Sequence, residues 1–132
     1  MTQYRGIHCD LAIERPRSGV VVVRISGTDI GEFGDGPLRV LEERLDDAPP
    51  VRLFIDARHV RGASIEVSAD WACWLAVHKV QLREIHMLTG SRYIEVTADF
   101  VRRFAALEGM MRIYTDPAAF NAELTAVQGQ CL

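Results

Sequence analysis

The stretch FIDARHVRGASIEVSADWACWL, Phe54 to Leu75, begins as an apolar strand, crosses a polar segment and enters a helix bearing both tryptophans of the chain. VRLFID, ending at Asp56, is apolar without alternation, as a strand covered on both faces would be. Val67, Trp71, Trp74, Leu75, His78 and Leu82 recur at helical spacing and predict a long amphipathic helix over 66–82. Between strand and helix, residues 58–68 read as a loop. A buried strand feeding a crossover helix is the repeating unit of a parallel sheet.

Outward from this unit the alternation continues. EIHMLT, Glu84 to Thr89, is another buried strand, and MRIY, Met111 to Tyr114, a short one. The helix between them is capped by Ser91 or Thr97, and its apolar face is read as Phe100, Val101, Phe104 and Leu107. Gly109 suits the left-handed position beyond a helix end. Asp116-Pro117 marks a helix start, with Phe120, Leu124 and Val127 facing inward.

On the N-terminal side, IHCDLAIE alternates, with Ile7, Cys9, Leu11 and Ile13 on one face, so it reads as a half-exposed strand. RPRSG, Arg15 to Gly19, reads as a turn, and VVVVRIS as a strand buried on both sides. The two form a hairpin with the polar strand outermost. GTDIGEFGDG is an irregular connection that matches no phosphate-loop pattern. Pro37 starts a helix carrying Leu38, Leu41 and Leu45, with Arg39 and Glu43 paired on its wet side, and Pro49-Pro50 ends it. The expected fold is one α/β domain over 1–132: a mixed, mostly parallel sheet of about five strands covered by four helices.

Length and composition fit this. The chain has 132 residues, 48% hydrophobic and 25% charged, with a net charge of −3. That balance gives no electrostatic reason to expect nucleic-acid binding. No apolar run approaches a membrane span, and MTQYRGIHCD lacks the apolar stretch of a secretory signal. The three cysteines, Cys9, Cys73 and Cys131, lie far apart and read as reduced thiols of a cytoplasmic protein, Cys73 as a small core residue. His8, His59, His78 and His86 show no ligand spacing, so no metal and no cofactor are expected. Asp56, His59 and Ser64 sit too close in sequence to build a hydrolytic triad, and no catalytic residue is assigned.

VVVVRISGTDI, VRLFIDARHVRGAS and ADFVRRFAALEGMMRIYTDPAAFNAEL together resemble the STAS domain family, the domains of anti-sigma-factor antagonists and sulfate-transporter tails. The resemblance covers roughly residues 6–125. It implies a non-enzymatic regulatory module in bacterial-type signalling. Signalling members carry a phosphorylated serine preceded by aspartate. Here Ser64 falls at the serine position and Ala63 at that of the acid. DWACWLAVHKVQL is closer to a divergent branch that lacks the phosphosite and has a tryptophan-rich second helix.

The candidate binding residues are Arg58, His59, Arg61, Ser64 and Ser68, read as converging at a helix N-terminus where anions are favoured. Serine caps helices whatever the function, so Ser64 or Ser68 also fits a purely structural role. Trp71, Trp74 and His78 are candidates for an interface or a pocket. The expected partner is a protein, a second copy of the chain included. The alternative is a small apolar or lipid-like ligand held between the sheet and a movable helix.

Overall fold

The computed structural model describes residues 1–129. Its strands are β1 (Thr2–Arg5), β2 (Cys9–Arg17), β3 (Val20–Asp29), β4 (Val51–Ala63), β5 (Leu82–Thr89) and β6 (Met111–Tyr114). The helices are α1 (Gly36–Asp47), α2 (Ile65–His78), α3 (Arg92–Phe104) and α4 (Pro117–Gln128). All six strands form one sheet in chain order. The β1–β2 and β2–β3 pairs are antiparallel, and the pairs from β3 to β6 are parallel.

The run Val20 to Val23 shows why the sheet is sandwiched. Val21 and Val23 pack with Leu53, Ile55, Ile85 and residues of α1, α2 and α3. Val20 and Val22 pack on the opposite face with Phe54, Leu88 and Phe120, Leu124 and Val127 of α4. Side chains alternate across a strand, so a doubly covered strand must be apolar at every position. Each parallel strand is added beside the last in one direction. Right-handed crossovers therefore place α1, α2 and α3 on a single face, and α4, after the last strand, folds over the other.

The structure departs from the sequence reading in several places. Thr2–Arg5 adds a sixth strand outside β2, so the polar strand of the hairpin is not the edge. Four residues are too few to show a period. Ile7 lies outside the strands and is exposed. β2 continues through Pro16 to Arg17, past a register shift between Glu14 and Arg17, where a proline need not donate to the ladder. Arg39 pairs with Asp35 rather than Glu43.

The segment read as a loop is mostly strand. β4 runs to Ala63, paired with β3 from Ser26↔His59 to Asp29↔Ala63. Two register shifts along this ladder break the apolar pattern, so the polar half of the strand does not look like one. α2 ends at His78, a 3₁₀ turn spans Lys79–Gln81, and Leu82 opens β5. Phe100 and Phe104 are exposed, and the buried face of α3 is Ile94, Ala98 and Val101. Ala106, with φ of 55°, closes this helix in the left-handed region, and Gly109, at φ of 83°, serves the turn into β6. Ser91, not Thr97, caps α3.

Candidate functional site

Of the five candidate residues of 58–68, Arg58, His59 and Arg61 border one polar cleft, while Ser64 and Ser68 lie apart from it at the start of α2. Arg58 turns toward α4: its Nε donates to Asp56 Oδ1 at 3.0 Å and its Nη2 to Asn121 Oδ1 at 2.8 Å. Asp56 also accepts the Arg58 backbone N–H at 3.2 Å. Ser68 lies on the other side of the sheet, beside Trp71 and Leu75. Ser64 caps α2, its Oγ accepting from Val67 N at 3.2 Å. His59 and Arg61, both exposed, line a shallow polar cleft with Arg58, His8, Ser26 and Ser91. The two serines lie apart because they belong to the start of α2, beyond the strand that carries the other three.

Trp74 is buried, and Trp71, half-buried, meets it edge to face at 6.5 Å. His78 stacks on Trp74 with ring centroids 4.4 Å apart. Its Nδ1 lies 2.9 Å from the Trp74 carbonyl oxygen. A neutral acceptor at that distance requires the ring to carry its proton on Nδ1. Tryptophan and histidine thus form one rigid stack against α1, where His78 Nε2 is 3.7 Å from Glu42.

What α2 offers to solvent lies elsewhere on the helix. Ile65, Val77, Tyr93, Val96, Phe100 and Phe104 are all more than half exposed, Ile65 at 84% and Phe104 at 60%. They lie along α2 and α3, and Phe100 and Phe104 stack at 6.0 Å. Between the helices runs a groove floored by Ala63, Ser68, Ala69 and Ala72 and walled by Tyr93, Val96, Phe100 and Phe104. Among the described residues no charged side chain lines it. Beneath it, between α2 and the sheet, lies an apolar cavity of about 80 Å³. Cavity and groove share Ala63, Ser68 and Thr97.

The thiols sort by environment. Cys9 is buried, and burial together with Asp29, Glu32 and Asp10 pushes its pKa up to about 12, so it stays protonated. Cys73 is exposed on α2, not in the core as read from the sequence. A cysteine between buried Ala72 and buried Trp74 looks interior only when the helix is taken to be covered all round. Cys131 lies outside the described residues.

Sequence reasoning missed one cluster. Glu84, His86 and Glu123 bring three ligand-type atoms within 4.8 Å of one another. Glu84 and His86 are two apart on β5 and so share a face, which is visible in the sequence. Glu123 arrives from α4, which is not.

The described parts make a sheet wound in chain order with three helices on one face, one on the other, and an apolar groove between two of the three: a SpoIIAA-like α/β fold. Among solved structures it is similar to an uncharacterized protein from the DUF3478 family, of SpoIIAA-like fold, from Shewanella loihica, with a TM-score of 0.65 and 17% identity over 92% of this chain and 98% of that one. An anti-sigma factor antagonist from Mycobacterium paratuberculosis gives 0.55 and 19% over 91% and 94%. The anti-sigma factor antagonist SpoIIAA in its unphosphorylated form gives 0.52 and 12% over 87% and 96%. No family model matches the sequence, and no curated protein does. The STAS-like architecture read from the sequence is thus the architecture found. No helix among the described residues is long and apolar enough to cross a membrane.

Proposed function

We propose that this chain is a non-enzymatic docking module of regulatory type, working in bacterial-type cytoplasmic signalling, and that α2 and α3 present its docking face. The observation that carries this reading is the continuous charge-free apolar surface of the groove. Exposed apolar surface of this extent marks an interaction site more often than chance. Covering its large side chains removes on the order of 600 Å² from water, close to one partner's share of a standard interface, about 800 Å². Aromatic anchors beside a socket of small residues are the usual make-up of an interface centre. The presence of this fold in two proteins named anti-sigma factor antagonists supports a protein partner. The 58–68 segment contributes through its end, where Ser64 and Ser68 meet α2.

The test is a Phe100→Glu/Phe104→Glu double variant. Both side chains are exposed, so the fold is expected to survive. Wild type is expected to self-associate or to retain a specific protein that the variant does not. Identical oligomeric state and identical partners for both would overturn the reading.

A second reading, a small apolar ligand, draws on the cavity under α2. At about 80 Å³ it is smaller than the cavity of about 150 Å³ that accepts benzene in a well-packed core. It admits an acyl chain only if α2 moves away from the sheet. Mass spectrometry of an organic extract, with tryptophan fluorescence on adding fatty acid, separates the two readings: a co-purifying lipid supports this one, and its absence with a flat titration removes it.

A further inference from the structure

We infer that Glu84, His86 and Glu123 form a binding site for a divalent transition-metal ion on the α4 face of the sheet, independent of the docking surface. His86 is held as a ligand would be. Its ring stacks on Phe54 at 4.5 Å with an interplanar angle of 8°. Nδ1 lies 2.8 Å from the Tyr114 hydroxyl, which leaves Nε2 directed at Glu84 Oε1, 3.0 Å away. An outer hydrogen bond to one ring nitrogen is what orients a metal-binding imidazole.

Glu84 has a cation of its own, Arg52, whose Nε is 3.2 Å from the carboxylate. That ion pair and the bond to His86 account for Glu84 without a metal. They do not account for Glu123. Its carboxylate is half-buried, comes to the same point as Glu84, and has no hydrogen bond or ion pair among the described residues. Of the two carboxylates, Glu84 is paired with Arg52, while Arg112 sits 4.7 Å from the Tyr114 ring centroid; Glu123, with no ion pair among the described residues, keeps a charge that a dication would neutralise. The imidazole also accommodates an ion without rearrangement. When Nε2 donates to Glu84, Nδ1 accepts from the Tyr114 hydroxyl. When Nε2 gives its lone pair to a metal, Nδ1 donates to the same hydroxyl oxygen, because a phenol both donates and accepts.

One imidazole and two carboxylates suit zinc or manganese better than magnesium, which favours oxygen ligands and its own water. Three protein ligands leave at least one position open to solvent.

The experiment uses chelator-stripped protein carrying Cys73→Ser and Cys131→Ser, so that the buried Cys9 is the one thiol left. Zinc chloride, and separately manganese chloride, are titrated by calorimetry, with the thermal midpoint followed in parallel. One ion per chain and a raised midpoint are expected. Glu123→Gln is expected to weaken zinc by about 100-fold, and Tyr114→Phe, which removes the hydroxyl shared by the imidazole and Arg112, by about 10-fold. Because Glu123 has no hydrogen bond or ion pair to lose among the described residues, Glu123→Gln should fold normally without metal, and Glu123→Ala repeats the measurement without the amide. Absence of binding to the parent overturns the inference, as does zinc binding equally well to both Glu123 variants.

Discussion

The backbone of Arg58 lies directly against Gly90: a β-carbon added at Gly90 would sit 2.0 Å from the Arg58 carbonyl oxygen. The contact falls where β4 and β5 part. Their ladder ends at Ala57↔Thr89, after which β4 continues along β3 alone and the chain beyond β5 turns into α3. The obstructing atom is backbone, so no side-chain rotation relieves it.

Gly90→Ala is therefore expected to destabilise the fold by about 2–4 kcal/mol, the range of overpacking and backbone strain. Gly62, also near the end of β4, provides the comparison. An added methyl there meets only the Thr28 side chain at 3.6 Å. Gly62→Ala is expected to be neutral or stabilising by about 0.5 kcal/mol, since it restricts the unfolded chain. Urea midpoints of the two variants check the contrast, and equal midpoints would contradict it.

Two phenylalanines on helices separate burial from composition. Phe120 is fully buried against Phe54 and Tyr114, while Phe100 is 54% exposed. Phe120→Ala is expected to cost about 3–5 kcal/mol, and Phe100→Ala about 0.5 kcal/mol or less. A large loss of stability at Phe100 would mean that its ring is covered in the isolated chain.

The serine caps should act alike despite their different surroundings. Ser64 accepts from Val67 N and Ser91 from Ile94 N, each at 3.2 Å. Ser64→Ala and Ser91→Ala are each expected to lower stability by about 1 kcal/mol. Ser64→Asp retains a capping oxygen and should restore most of the loss. If it does not, the hydroxyl serves something other than the helix end.

Cys9 sets an alkaline limit. Its folded pKa stands near 12 against an ordinary 9.0, so between these values the unfolded chain releases a proton that the folded chain keeps. The unfolded state then holds fewer protons, and stability declines as pH rises through that window. Wild type should lose more stability than Cys9→Ala between about pH 8 and about pH 10. Parallel declines would show that the thiol has no part in it. In native protein near neutral pH, iodoacetamide should label Cys73 and spare Cys9.

How much of this could be read from the sequence depended on how local the signal was. Val20 to Val23 and the Asp116-Pro117 start are short-range patterns, and both were legible. The last six residues of β4 were not, because polar side chains and two register shifts conceal a strand whose partner is β3. Phe100 and Phe104 read as core because they share a helical spacing with Val101 and Leu107. An interface face and a core face carry the same residues, and only the position of the sheet tells them apart. Among the candidate site residues, Ser64 could be read as a cap. Arg58 could not be assigned to Asn121, nor Glu123 to His86, because each contact joins distant parts of the chain.

Strand order has one more consequence. Ligand crevices in many open α/β sheets arise where winding reverses, so that neighbouring connections leave toward opposite sides and a gap opens at the strand tips. Here the winding never reverses, and what opens beside the ends of β4 and β5 is the shallow polar cleft bordered by Ser26, His59 and Ser91. The uncovered oily surface lies away from these tips, on the flanks of α2 and α3.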